Sequence, residues 1–126
     1  MEGTLQLRKL LLATGLALVT QFSLAADYFG AIAYSTSSGA NGWSKDHPSR
    51  EAAERAALAA CRKHAKDCKA VLWFKNGCGA LAVSRKAYGW GWGTTQELAD
   101  REAIRACAKH TKGCKVKHQV CTTGAS

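Results

Sequence analysis

The apolar residues of this chain fall into short runs that are separated by Gly, Ser, Asn and charged residues. Two such runs, residues 70–74 and 79–83, lie on either side of Asn76-Gly77 and a cysteine. Apolar runs that flank an Asn-Gly dipeptide predict a β-hairpin, and runs this short and continuous are typical of strands buried on both faces. We therefore expect residues 70–83 to form a hairpin at the centre of the fold.

The pattern of residues also occurs twice along the chain. The segment Gly-Ala-Ile-Ala-Tyr-Ser at residues 30–35 returns as Gly-Ala-Leu-Ala-Val-Ser at residues 79–84. The Ala-rich segment 51–61 returns at 97–107, and the cysteines at 61 and 68 return 46 positions later at 107 and 114. Two copies are too few for a solenoid, and each is too small to enclose its own core. The repeat, at about residues 28–78 and 79–121, predicts a single pseudo-twofold domain.

Each copy predicts the same order of elements. An alternating strand at residues 31–35 leads through a Ser/Gly-rich turn to a short strand at Trp43, whose equivalent in the second copy lies within residues 89–92. A helix follows, and a last strand at residues 69–74 or 115–120 ends the copy. The predicted architecture is therefore β-β-α-β twice, stapled by disulfides into one α+β domain.

The helices are predicted from alanines that recur at intervals of three and four residues. Ser49 is the expected N-cap of the first helix, and Thr94 has capping-box spacing to Glu97 at the start of the second. Alanine side chains are small, so each helix can approach a sheet or the other helix closely. The alanines expected on these faces are Ala53, Ala56, Ala57, Ala60, Ala99, Ala103 and Ala106.

The first 25 residues predict a secretory leader. Arg8 and Lys9 precede an apolar run at residues 10–19, and Ser23-Leu24-Ala25 provides the small residues that a signal peptidase requires. The apolar run is shorter than the roughly 20 residues of a transmembrane helix. We expect cleavage after residue 25, which leaves one exported domain at residues 26–126, periplasmic or secreted, with no transmembrane span.

Export would place all six cysteines in an oxidising compartment, where an even number predicts three disulfides. Of the fifteen possible pairings of six cysteines, seven are unchanged when the copies are exchanged. Among these we favour the pairs Cys61–Cys68, Cys107–Cys114 and Cys78–Cys121. The first two would join each helix end to the following strand, and the third would join one copy to the other.

The charge of the chain is strongly basic. The formal net charge is +9, and the leader carries one net positive charge, so the exported part carries +8. Acidic residues early in each helix and basic residues at its end match the helix dipole. The dipole does not explain the surplus of positive charge, which would attract nucleic acid, anionic lipid or an acidic protein.

The segment Tyr-Gly-Trp-Gly-Trp-Gly at residues 88–93 has a strict alternation that would place the aromatic rings on one face of a strand and the glycines on the other. In the interpretation that we favour, the rings cover the core and the glycines admit a closely packed neighbour. In the alternative, the rings form an exposed shelf beside basic residues and bind a ligand or a protein. The candidate binding surface is Tyr88, Trp90, Trp92, Trp43, Lys63, Lys66, Lys109 and Lys112.

The sequence offers little support for catalysis or for a metal centre. It contains no Gly-x-Ser-x-Gly, His-Glu-x-x-His or phosphate-loop motif, and no cysteine pair has Cys-x-x-Cys spacing. The cysteines with His47, His64, His110 and His118 could be imagined as metal ligands, but disulfides are favoured in an exported chain. We therefore expect no catalytic residue, no metal ligand and no cofactor.

Three segments together, Gly-Ala-Ile-Ala-Tyr-Ser, Trp-Phe-Lys-Asn-Gly-Cys-Gly-Ala-Leu-Ala-Val and Tyr-Gly-Trp-Gly-Trp-Gly, resemble a family of bacterial secreted proteins known as domain of unknown function 4189. The resemblance extends from Tyr28 to about Cys121. It implies a small, exported, cysteine-bearing domain of bacterial origin. It provides no catalytic residues, because none is established for the family.

The leading functional expectation is a non-enzymatic, exported protein-interaction module, for example an inhibitor or immunity-type protein whose partner is another protein in the periplasm or outside the cell. The alternative is a basic domain that binds an anionic polymer or the cell envelope, and a secreted enzyme is the third. Salt dependence separates the first two, because charge-driven binding weakens steeply with added salt and a packed protein interface weakens less.

Overall fold

The computed structural model describes residues 26–126, which form two units of the same β-β-α-β order. The α+β class and the twofold repeat predicted from the sequence are confirmed. The predicted leader, residues 1–25, lies outside the described residues. The first unit contains β1 (Phe29–Tyr34), β2 (Asn41–His47), α1 (Arg50–Arg62) and β3 (Lys69–Lys75). The second unit contains β4 (Cys78–Val83), β5 (Tyr88–Gly93), α2 (Gln96–Ala108) and β6 (Lys115–Cys121).

Each unit forms its own three-stranded antiparallel sheet, with strand orders β2-β1-β3 and β5-β4-β6. The predicted hairpin at residues 70–83 is wrong, because β3 and β4 belong to different sheets. Both edges of β4 are already paired, with β5 and with β6, so none remains for β3. Asn76, with a φ of 47°, turns the chain between the sheets, and its side-chain oxygen accepts a hydrogen bond from the Tyr28 N–H at 2.9 Å.

The two helices begin with equivalent caps. Ser49 caps α1 as predicted, since its side chain accepts from the Ala52 N–H at 3.1 Å. In α2 the cap is Thr95 rather than the predicted Thr94, and its hydroxyl accepts from the Leu98 N–H at 3.2 Å. The helix therefore begins one residue later, which removes the capping-box spacing to Glu97.

Each helix packs on one face of its own sheet through very small side chains. Ala53, Ala57 and Cys61 of α1 are fully buried. Their equivalents in α2 are Ala99, Ala103 and Cys107, which are also fully buried. The other predicted alanines, Ala56, Ala60 and Ala106, lie at the margins of these faces and are half-buried.

The opposite faces of the two sheets pack against each other. This shared core is formed by Ile32, Leu72 and Phe74 from the first sheet and Leu81 and Val120 from the second. The layers therefore run helix, sheet, sheet, helix.

Three disulfides link the pairs that the repeat favoured: Cys61–Cys68, Cys107–Cys114 and Cys78–Cys121. The third was expected to join one copy to the other, and that expectation is wrong. Cys78 begins β4 and Cys121 ends β6, and the two residues are directly paired in the second sheet. In the first unit the equivalent pair is Phe29 and Lys75.

Candidate functional site

The glycine face of β5 lies directly against the backbone of α2. A Cβ atom on Gly89 would lie 2.1 Å from the Cys107 nitrogen and 2.7 Å from the Ala103 oxygen. On Gly91 it would lie 2.4 Å from the Ala103 nitrogen. These contacts leave no room for a side chain, so the glycines admit a closely packed neighbour as the sequence indicated.

The aromatic face of the same strand is largely exposed. The exposed fraction is 45% for Trp90 and 56% for Trp92, so the favoured interpretation that these rings cover the core is wrong. The physical reason is the position of β5 at the edge of its sheet, because the shared core on this face is centred on the neighbouring strands. Tyr88 is half-buried, and its ring lies 5.3 Å from that of Tyr34.

Two grooves share the exposed tryptophans as a common wall. The first, with a volume of about 900 Å³, runs along the outer edge of β5 and is called the β5 groove below. It is lined by Tyr34, Thr36, residues 84–92, Glu102, Arg105, Ala106, Lys109 and His110. The second, of about 600 Å³, lies between β3 and β5 and is lined by Arg50, residues 71–75, Trp90 and Trp92.

The β5 groove is basic. The charged residues that line it within the described chain are the cations Arg85, Lys86, Arg105 and Lys109 and the carboxylate of Glu102. Glu102 lies 3.4 Å from the Arg105 guanidinium, so it offsets one of the four positive charges. A cleft lined by an excess of one sign of charge concentrates ligands of the opposite sign, which here are anionic.

The main-chain groups of the aromatic residues lie at the free edge of β5, along this groove. The Ser84 N–H donates to the Ala87 oxygen, so the pair next to Val83 and Tyr88 is hydrogen-bonded. The Thr122 N–H donates to the Gly77 oxygen, so the residue before β4 bonds toward β6 and not toward β5. Hydrogen-bonded and non-bonded pairs alternate along an antiparallel ladder. The regular register of β4 and β5 therefore assigns the bonds with β4 to Gly89, Gly91 and Gly93. The N–H and C=O groups of Tyr88, Trp90 and Trp92 then point away from the sheet.

The other strands at sheet edges are less regular than β5. The pairings of β2, β3 and β6 each contain a register shift that leaves one extra residue on the edge strand. Each of these strands also carries lysine. Bulges and lysines are devices that discourage pairing with another chain. The pairing of β5 has no shift, and its sequence has no charged residue.

A family model described as "Domain of unknown function (DUF4189)" matches residues 29–121, nearly all of the part that the structure describes. The chain belongs to this family. The resemblance inferred from the sequence motifs is thus confirmed at the level of the family.

Relatives of this DUF4189 domain occur in mycobacteria. Protein Rv1269c of Mycobacterium tuberculosis and Protein Mb1300c of Mycobacterium bovis are each 46% identical over 71 residues, which is 56% of this chain and 54% of the relative. The chain thus spans about half the length of these relatives. The NMR structure of Rv1813c from Mycobacterium tuberculosis is similar, with a TM-score of 0.51 and 29% identity over 79% of this chain and 78% of that one.

The DUF4189 fold brings together only some of the residues in the candidate binding surface. Tyr88, Trp90, Trp92 and Lys109 all line the β5 groove. Trp43 lies on the edge strand of the other sheet, where its ring stacks on His118 at 5.5 Å. The exposed lysines Lys63, Lys66 and Lys112 do not line the β5 groove.

The groove residues that the sequence did not identify include one aromatic and three cationic side chains, which are Tyr34, Arg85, Lys86 and Arg105. A signal was present for Arg105, which precedes Lys109 by four positions and so shares its face of α2. Arg85 and Lys86 immediately precede the aromatic strand in the sequence. No signal identified Tyr34, because it reaches the groove from the other sheet.

Within residues 26–126, no group of three or more His, Cys, Asp or Glu side chains is arranged to hold a metal ion. In the same part of the chain, no helix is long and apolar enough to cross a membrane.

Proposed function

We propose that this DUF4189 domain is a non-enzymatic protein-interaction module that acts outside the cytoplasm and binds its partner through β5 and the β5 groove. The observation that carries the proposal is the exposure of Trp90 and Trp92, 45% and 56%, on a regular edge strand. Tryptophan is enriched among the residues that contribute most to protein interfaces, because it combines a large apolar surface with few rotatable bonds.

Two observations support an exported location. The six cysteines form three disulfides, which persist in oxidising compartments such as the periplasm and the extracellular space. The sequence of residues 1–25 has the charge and apolar pattern of a secretory leader. An inhibitor or immunity-type protein that occupies a periplasmic toxin or hydrolase is one form that this function could take.

Photo-crosslinking in the native host tests the proposal. Trp92 is replaced by p-benzoylphenylalanine in one variant, and in a matched variant the same replacement is made at Lys45, its exposed equivalent in β2. We expect a specific protein adduct from position 92 and none from position 45. The partner identified is then purified, and its affinity should fall at least about tenfold for Trp92→Ala. Adducts of equal yield at both positions, or none at position 92, would contradict the proposal.

A second candidate is a domain that binds an anionic polymer or the cell envelope, and the four cations of the β5 groove favour it. Binding driven by phosphate or other polyanion charges weakens by orders of magnitude between about 50 and 200 mM salt. A packed interface centred on tryptophan depends less on salt. Measuring the affinity of the partner across this range separates the two functions, and a steep loss would favour the polyanion.

A further inference from the structure

We propose that the partner supplies an extended segment with alternating acidic and apolar side chains, which pairs with β5 as a fourth strand of the second sheet. The proposal rests on the proposed function, and it specifies the partner's chemistry and its geometry at the same site.

The main chain of β5 provides the first argument. Tyr88, Trp90 and Trp92 each direct an N–H and a C=O away from β4, as the ladder requires, and all three residues line the β5 groove. Residues two apart in a strand are separated by roughly 6.8 Å, which is the repeat that an incoming strand matches. An exposed edge without bulge or charge is therefore a template for strand addition.

The side chains around this edge provide the second argument. A strand added to β5 would direct alternate side chains to opposite faces of the sheet. On the face covered by α2 they would lie beside Arg105 and Lys109, and on the other face beside Trp90 and Trp92. Acidic residues complement the first environment and apolar residues the second, so the segment that fits has a period of two.

The charge of the groove also distinguishes a partner from a second copy of this chain. Pairing of β5 with the β5 strand of a second copy would bring two sets of groove cations together. These cations are Arg85, Lys86, Arg105 and Lys109. Like charges that are brought together across an interface are destabilising. An acidic segment of another protein is therefore favoured over self-association.

The test is an NMR titration of the exported, oxidised, ¹⁵N-labelled protein with a panel of capped eight-residue peptides. These have Glu or Asp at alternate positions and Val, Ile or Phe between them. We expect the amides of Tyr88, Trp90 and Trp92 to shift and to gain protection from hydrogen exchange. The amides of Gly89, Gly91 and Gly93, which already bond to β4, should change much less. This alternation along one strand is a property of strand addition and not of groove binding in general.

Three control peptides test the separate elements of the proposal. Methylation of the peptide nitrogens that face β5 removes the main-chain donors and should weaken binding at least about tenfold. Replacement of the acidic residues of the peptide by Lys should abolish detectable binding. A peptide of the same composition, with the acidic residues in one block and the apolar residues in another, should bind at least about tenfold more weakly. Equal binding of the methylated and unmethylated peptides would overturn strand addition.

Matched protein variants test the charge argument. Lys109→Glu should weaken binding at least fivefold, whereas Lys63→Glu, at the equivalent helix end of the first unit and outside the groove, should leave it within twofold of the unmodified protein. Both residues are exposed, so the fold should tolerate either change. Equal effects of the two variants would overturn the assigned orientation beside α2.

Other occupants give distinct results. Dimerisation of the protein alone through β5, or tighter binding of oligo-dT than of every peptide in the panel, would overturn the proposal. If position 92 still crosslinks to a partner while no peptide produces the alternating amide pattern, strand addition fails and the interaction module stands. If neither occurs, both proposals fail.

Discussion

Strands β2 and β5 occupy equivalent positions in the two units, and they begin against their helices in the same way. A Cβ on Gly42 would lie 2.3 Å from the Cys61 nitrogen, and one on Gly89 would lie 2.1 Å from the Cys107 nitrogen. Two residues further along, the units differ. Ser44 in β2 donates a hydrogen bond to the Ala53 oxygen at 2.6 Å, whereas the equivalent in β5 is Gly91.

Beyond this point the edge of β2 becomes irregular while that of β5 continues. Asp46 has a φ of 61° at the irregularity in β2. Its carboxylate accepts hydrogen bonds from the N–H and the hydroxyl of Thr123, at 2.8 and 2.5 Å, which hold the pKa of Asp46 below its ordinary value. The equivalents of Lys45 and Asp46 in β5 are Trp92 and Gly93. The repeat thus preserves helix packing and diverges at the edge, where we place the binding surface.

The largest expected effect concerns the disulfide that distinguishes the two units. Replacing Cys78 and Cys121 together by Ala opens a loop with a sequence separation of 43 and should lower the free energy of unfolding by about 4 kcal/mol. The Cys61 and Cys68 pair, with a separation of 7, should contribute about 2.5 kcal/mol. Urea denaturation of both double variants measures the difference. Equal losses would mean that loop length does not govern these contributions.

The next effect tests whether the two units share their helix packing. Gly89→Val places a side chain against the backbone of α2 and should cost about 3 kcal/mol, the upper part of the usual range for overpacking. Gly42→Val should cost a similar amount, because its surroundings in α1 are equivalent. The measurement is again the free energy of unfolding in urea. A large loss for one variant alone would break the comparison between the units.

A smaller effect concerns His118, whose equivalent in the first unit is Leu72. Burial lowers the pKa of His118 below its ordinary value of 6.5, and its Nε2 atom has no hydrogen-bond partner within the described residues. Below about pH 6.5 the unfolded chain therefore binds a proton more readily than the folded one. The free energy of unfolding should therefore fall as the pH is lowered from 6.5 to the pKa of His118 in the folded protein. Below that pKa this residue should cause no further loss of stability.

Thermal melts between pH 5 and pH 7.5 measure this dependence. The variant His118→Leu introduces the residue found at the equivalent position of the first unit, and it should abolish this pH dependence. Protonation of Asp46 and Asp67, whose pKa values are lowered by hydrogen bonds from Thr123 and Ser35 respectively, affects stability only at more acidic pH. If the pH dependence is unchanged in the His118→Leu variant, another titratable group causes it.

The smallest expected effect concerns the exposed edge itself. Trp92→Ala should change the free energy of unfolding by no more than about 0.5 kcal/mol, because the side chain is 56% exposed. Phe74→Ala, in the shared core between the sheets, should cost about 3–5 kcal/mol and serves as the control. A loss above about 2 kcal/mol for Trp92→Ala would return this residue to the core and remove the basis of the proposed surface.

Local features of the fold could be predicted from the sequence because they depend on residues close together in the chain. The Ser49 cap follows from contacts within one helical turn, and the two short disulfides from cysteines seven residues apart. The internal repeat predicted the same order of strands and helix for both halves of the domain. The alternation in residues 88–93 also determined correctly that the glycines share one face and the rings the other.

What covers each face was decided only by the tertiary structure. Periodicity states which side chains point the same way, but the burial of Trp90 and Trp92 depends on which strands lie beside and above β5. The central position of β4, paired on both edges, excludes β3 from this sheet and leaves β5 at its margin. The rings are therefore exposed because of pairings between distant segments, and no pattern within the aromatic strand contains that information.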